Sequence, residues 1–387
     1  MNVRLGCVWL GLRTNVLKRR FTEWYRSVIW RKTMFITRRG FIASSFVLTN
    51  TAFSAAASKE QTIKLGFDNF AVRAMQWNAR ELVDHAVALG CNSVFITDFG
   101  PFEDRFDDSS LREIRHYGMD KEIDIVLGSW SICPSSKTFK ADWGTAYDHL
   151  VLGIRMAKAL GSPAFRVTLG NSSDRLTKGG IEARIADTVQ VLKQVRNQAI
   201  DAGVKIAVEN HAGDMQSREL KHLVEEAGPD FVGVNFDSGN ACWTLENPVQ
   251  ALLNLAPYVL TTSLRDTMIW ESENGITTQW TAMGEGCVDF KTFFKIFRKQ
   301  CPDVTVHIET ISGFPKSFPI YEHDFWNLFP NALAKDFSAF LTLAKKGNPI
   351  PTFRPAAKDK LQAKKIHQIS ELERSILYCK NVLGLGS

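Results

Sequence analysis

Three carboxylates carry the clearest chemical potential in this sequence: Glu209, Asp237 and Glu309. Each stands near the end of a short β-rich run, at 204–211, 232–240 and 304–311. Successive side chains of an extended strand alternate between its two faces. Apolar Ile206 and Val208 claim one face and leave Ala207 and Glu209 on the other. Val232, Val234 and Phe236 likewise oppose Gly233, Asn235 and Asp237, while Val304, Val306 and Ile308 oppose Thr305, His307 and Glu309. A further run, 259–266, sets Leu260 and Leu264 against Thr261, Ser263 and Arg265. If these strands lie side by side, three like charges meet in one confined place, which is costly unless something compensates them. Protonation could do so, or Lys205 and Arg265. A divalent cation is the simpler answer, and hard carboxylate oxygens favour Mg²⁺ or Mn²⁺.

Gathering those residues requires strands that end at one rim. From residue 63 onward, β-rich runs at 63–70, 93–99, 123–133, 164–169, 204–211, 232–240, 259–266 and 304–311 alternate with helical patterns. The first helix has Asn78 and Glu81 placed as a capping box, an apolar face of Leu82, Val83, Ala86 and Leu89, and Gly90 as a stop. A later one puts Ile185, Val189, Leu192 and Val195 on one side. Eight such alternations predict a (β/α)₈ TIM barrel over 58–346 rather than an open doubly wound sheet. No G-x-G-x-x-G follows the first strand, which argues against a dinucleotide site. Residues 268–286 read as a long polar loop on the rim side. Residues 347–387 read as a Pro-containing linker and a basic C-terminal helix, a helical extension with an apolar stripe of Leu361, Ile366, Ile369, Leu372 and Ile376. Such a stripe packs on its own barrel or on a partner subunit, so an oligomer through this helix is one expectation.

Four segments together carry a resemblance. Glu209-Asn210-His211, Asp237-Ser238-Gly239-Asn240, Gly284-Glu285-Gly286-Cys287-Val288-Asp289 and His307-Ile308-Glu309-Thr310 resemble the xylose-isomerase-like TIM-barrel superfamily, in its sugar phosphate isomerase and epimerase branch, over roughly 63–345. The resemblance implies a divalent metal site, Mg²⁺ or Mn²⁺, with ligands at Glu209, Asp237, Ser263 and Glu309. Ser263 is a departure. The family pattern there resembles His-x-Lys-Asp, where this chain has Ser263-Leu264-Arg265-Asp266, and a serine hydroxyl is a weak ligand. The resemblance also implies that Glu209 and Glu309 are the catalytic acids that move a proton next to a substrate carbonyl. His211, Arg265, Arg166, Trp130 and Asn240 are the expected substrate contacts, with Phe70 as an apolar wall. The expected function is an isomerase or epimerase of a sugar or sugar-like polyol. The alternatives are a lyase that dehydrates a keto-polyol, and a non-catalytic carbohydrate-binding barrel with a degraded metal site.

The charge distribution restricts the partners. Of the net +6 on 387 residues, residues 1–57 hold ten basic residues against Glu23, a net of +9, so residues 58–387 carry −3. A slightly acidic body offers no footprint for nucleic acid. The basic leader contains Arg38-Arg39 followed by a moderately apolar run and Ala55-Ala56-Ala57, the pattern of a twin-arginine export signal with a small-residue cleavage site. It predicts a periplasmic or otherwise exported protein, with residues 1–33 read as an over-extended start. The run is too short and too polar for a permanent membrane span. Seven scattered cysteines form no C-x-x-C pair and so no zinc-finger spacing, and one or two disulfides remain open.

Overall fold

A computed structural model describes residues 62–355 and 357–386; the expected export leader, 1–57, lies outside them. All eight expected strands form: β1 (Leu65–Asp68), β2 (Ser93–Ile96), β3 (Asp124–Ser131), β4 (Ala164–Thr168), β5 (Lys205–Glu209), β6 (Val232–Phe236), β7 (Val259–Thr262) and, after an inserted hairpin of β8 (Asp266–Ser272) and β9 (Gly275–Thr281), β10 (Val306–Ile308). The eight pair in parallel in the order β10-β1-β2-β3-β4-β5-β6-β7. A parallel bridge between Leu264 and Ile308 closes the ring. Register places Thr168 beside Glu209 and Glu209 beside Asn235, so the polar ends of neighbouring strands arrive at one level.

Helices follow the strands around the outside: α1 (Ala79–Ala88), α2 (Asp108–Asp120), α3 (Ala146–Leu160), α4 (Gly180–Gln194), α5 (Arg196–Ala202), α6 (Ser217–Ala227), α7 (Ser238–Trp243), α8 (Pro248–Leu255) and α9 (Phe290–Gln300). Asn78 and Glu81 make the expected capping box on α1. Ile185, Val189, Leu192 and Val195 are buried as their spacing predicts. On α9, Phe290, Phe293, Phe294 and Phe297 form one buried face, and Phe293 packs on Phe236 of β6. Arg166, on β4, is aimed by this shell. Its Nη1 donates to the Ser129 carbonyl of β3 at 2.8 Å, while the Ser129 hydroxyl is tied to His149 Nε2 of α3 at 2.7 Å.

One segment differs from expectation, and a second bears it out except in the reach of its apolar stripe. Residues 268–286 are mostly the β8–β9 hairpin rather than a polar loop, and β11 (Lys316–Phe318) pairs antiparallel to β9. The signal was present: Asn274-Gly275 between alternating runs marks a tight strand reversal. Gly275 has φ +145, and a side chain there would run into Phe318 and Ile320. The tail, after α10 (Ala334–Ala344), is the second case. Its helix α11 (Lys360–Asn381) packs beside β10 and residues 69–75, as the helix that covers the seam between β10 and β1. Leu372, Ile376 and Cys379 are buried against the barrel, whereas Leu361 and Ile366 of the expected stripe are exposed. Gly386 N donates to Ile63 O at 2.9 Å, and Lys380 Nζ caps the Leu89 and Gly90 carbonyls beyond α1. The six described cysteines are free thiols, and no described helix is long and apolar enough to cross a membrane.

Because α11 closes the barrel, Leu372→Ala should cost about 2–4 kcal/mol in urea unfolding; a loss near zero would make the helix a surface appendage. Burial lowers the His149 imidazole to about 4, and its Nδ1 has no partner. A depressed pKa contributes stability that is present above the unfolded value of 6.5 and lost as pH falls toward 4. Between pH 7 and 4.5 the wild type should therefore lose about 2–3 kcal/mol more than His149→Gln, read from denaturant melts at both pH values.

Candidate active site at the barrel mouth

The three acids do converge. Glu209, Asp237 and Glu309 are buried and offer one oxygen each within 4.8 Å of one another, a spacing a divalent cation could bridge. Around them the strand ends supply a dense set of donors. Arg166 Nε meets Glu209 Oε2 at 2.5 Å, and Asn235 Nδ2 donates to the same oxygen at 2.8 Å. Asn240 Nδ2 donates to Glu209 Oε1 at 3.2 Å and to Asp237 Oδ2 at 2.7 Å, and its backbone N–H donates to Asp237 Oδ1 at 2.9 Å, capping α7. Asn210 clasps the Asp237 backbone from both sides, donating to its carbonyl at 2.8 Å and accepting its N–H at 2.9 Å. Arg265 Nη2 pairs with Asp237 Oδ2 and, at 2.5 Å, with Glu309 Oε2. Five of the six carboxylate oxygens thus accept from an N–H group; Glu309 Oε1 is the exception.

Arg265 is seated as firmly as the acids it joins. Its methylene stem crosses the Gly239 Cα, where an added Cβ would meet Cγ at 2.5 Å and Cδ at 2.6 Å. Its guanidinium lies 4.4 Å from the centre of the Trp280 ring, and Trp280 stacks on Trp243 at 4.0 Å. Trp280 belongs to β9, so the unexpected hairpin supplies the platform. Gly239 is the third residue of the Asp-Ser-Gly-Asn motif, which ties that glycine to the arginine opposite.

Burial and charge set the protonation of the cluster. Burial would raise Glu209, yet Arg166 and the neighbouring cations hold it below the usual carboxylate range. Burial raises Asp237 to about 7 against the pull of Arg265, and raises Glu309 well above an ordinary glutamate for the same reasons. A fourth acid, Asp68 at the end of β1, is raised to about 6 by burial. It accepts from Phe70 N, Thr97 Oγ1 and Ser263 Oγ. Strand parity could have exposed it, since Leu65 and Phe67 take the opposite face.

Glu309 lines a cavity of about 340 Å³ together with Phe70, Arg73, Trp130, Arg166, His211, Asn240, Trp243, Arg265, Trp280 and Phe314, among others, while Glu209 and Asp237 are fully buried behind that lining. Every expected substrate contact faces this one space. The two catalytic candidates part company: Glu309 lines the cavity, whereas Glu209 has no exposed surface and sits beneath Arg166 and the asparagines. Arg166 and Arg265, expected as substrate clamps, are charge partners of the acids. Lys205 is exposed at the start of β5, away from this cavity. Ser263, the expected fourth ligand, donates to Asp68 Oδ2 at 3.1 Å and accepts from Asn235 Nδ2 at 3.2 Å. His211 is held by its Nδ1 contact with Gly170 O at 2.7 Å, and His307 is a buried lumen residue between Ser93 and Thr261. Trp130 meets Phe70 edge to face at 5.7 Å and forms one wall. Arg73, Trp243 and Trp280 escaped the sequence reasoning because the first lies beyond the end of β1 and the indoles meet only through the hairpin. Asp266 explains the Gly-Glu-Gly motif differently. Its carboxylate accepts the N–H groups of Thr267, Gly284, Gly286 and Val288, so the motif braces the segment that enters α9.

Residues 83–322 match the family described as the xylose isomerase-like TIM barrel, more than half of the chain. The chain belongs to this family. It is 27% identical to the uncharacterized protein YihM of Escherichia coli (strain K12) over 114 residues, 28% of this chain and 35% of that protein, so the match spans about a third of that relative's length. Among solved structures, a D-psicose 3-epimerase determined in the presence of D-fructose superposes with TM-score 0.55 at 14% identity, over 83% of this chain and 100% of that one. The IOLI protein, whose crystal structure has a binding zinc atom, superposes with TM-score 0.51 at 16% identity, over 73% and 96%. At these identities the likeness is one of fold.

The Arg166–Glu209 pair provides a direct check on the buried charge balance. Arg166→Met should destabilise the protein by roughly 3–5 kcal/mol, because it strands a buried carboxylate. Arg166→Met with Glu209→Gln should recover most of that loss in chemical denaturation. If the double substitution is no more stable than the single one, the charge is not what Arg166 compensates.

Proposed function

We propose that this barrel is an isomerase or epimerase of a sugar or sugar-like polyol, with Glu309 as the group that takes a proton from the carbon next to a carbonyl. The observation that carries this reading is Glu309 Oε1. It belongs to the acid of the buried triad that lines the cavity, and it is the oxygen left without an N–H donor. Burial raises Glu309 well above an ordinary glutamate, which favours proton uptake. Returned to the adjacent carbon on the same face, the proton completes an isomerisation, whereas an epimerisation takes its proton from water on the opposite face. Arg265, bonded to the other Glu309 oxygen, places a fixed positive charge beside the carbon that loses the proton, where it stabilises the developing enediolate oxygen. Trp130 and Phe70 offer the apolar faces on which sugar C–H surfaces pack. His211, on the cavity wall, offers a polar contact to a hydroxyl. The D-psicose 3-epimerase fold neighbour supports the substrate class by analogy. Glu209 in this reading holds Arg166 and Asn240 in place and does not touch the substrate.

Incubation of the protein with a panel of ketoses, aldoses and sugar acids in D₂O tests this. An isomer or epimer of unchanged mass in H₂O that gains one deuterium in D₂O is the expected product. Glu309→Gln should lower turnover roughly 10²–10⁴-fold. A product lighter by one water identifies the lyase alternative. Sugar binding without exchange of any carbon-bound hydrogen identifies a binding protein and overturns the enzymatic reading.

A further inference from the structure

In this barrel the gap between Asp237 and Glu309, where the family resemblance places a divalent metal, is filled by a side chain. We propose that Arg265 is the resident cation of the site, so that the protein carries and uses no divalent metal there.

Three independent observations converge on this assignment. The guanidinium bridges Asp237 and Glu309, and a second cation in the same gap would meet it at contact distance. The arginine has a built seat, since Gly239 leaves room for its stem and Trp280 supports its guanidinium from the ring face. The remaining donors and ligands are committed elsewhere. Ser263 is bonded to Asp68 and Asn235, and Asn235, Asn240 and Arg166 use the oxygens of Glu209 and Asp237 that would otherwise point at a metal. Mg²⁺ or Mn²⁺ would need several of these oxygens at once, in near-octahedral geometry. To admit the ion, Arg265 would have to leave two buried ion pairs and an aromatic platform together. The expected metal therefore does not fit the residues present. The seat of Arg265 is the same whichever substrate the cavity takes, so this assignment stands or falls apart from the proton-transfer reading.

The test is metal binding by the full chain, independent of activity. Elemental analysis of the purified protein should find well below one divalent metal per chain, and calorimetric titration with MnCl₂ should show no stoichiometric site. Thermal unfolding should be unchanged by EDTA. Arg265→Met removes the resident cation and leaves the three acids, so it should gain one Mn²⁺ site at least about tenfold tighter than any in the wild type, with a melting temperature that rises with Mn²⁺ concentration. Arg265→Gln, which keeps a donor for one carboxylate, is the second variant should the first fail to fold. Adding Ser263→His to either variant should tighten the new site further. One equivalent of chelatable metal in the wild type, or a folded Arg265 variant that gains no Mn²⁺ site, overturns the proposal.

Discussion

Burying several carboxylates in the mouth of a narrow barrel is the constraint around which this structure is organised. Like charges in a low-dielectric space raise one another's proton affinity and repel unless cations stand among them. Here Arg166 serves Glu209 and Arg265 serves Asp237 and Glu309, each from the strand end beside its partner. The asparagines at 235 and 240 add neutral donors that spread the negative charge without adding to the count, and Asn210 fixes the Asp237 backbone. The acid facing the cavity is consequently the one with a free oxygen, and the others are fixed beneath it.

The scaffold outside the barrel is shaped by the same need. An arginine that bridges two acids is useful only if its long side chain cannot swing away. Gly239 removes the steric obstacle beneath the stem, and the β8–β9 hairpin carries Trp280 to the guanidinium face, backed by Trp243. Asp266, one residue beyond Arg265, gathers four backbone N–H groups and so anchors the strand end from which the arginine projects. On the far side, α11 and the chain end near Ile63 seal the seam next to β1, whose Asp68 accepts the Ser263 hydroxyl.

The chain shares the barrel fold of its neighbours. Two residues of its β7 rim act together here: Ser263, whose hydroxyl is bonded to Asp68, and Arg265, which reaches into the centre. The two fit one another, because a hydroxyl spent on Asp68 withdraws a ligand at the level where the guanidinium supplies a charge.

The eight strands and the inward direction of Glu209, Asp237, Ser263, Arg265 and Glu309 were legible in the sequence, because two-residue alternation is a local property that any parallel barrel must obey. The capping box of α1 and the buried face of α4 were legible for the same reason, each being set within one or two helical turns. The partner of each charge was not. Whether Arg265 leans toward substrate or toward Asp237 depends on Gly239 at the start of α7 and on Trp280 of the β8–β9 hairpin, neither of which is near it in sequence. Nor could the pattern of α11 say which half of its apolar stripe meets the barrel, since that depends on how the helix packs on β10 and residues 69–75. Local periodicity determined which residues face the lumen; contacts between segments distant in sequence decided which of them neutralise one another and which one remains open to the cavity.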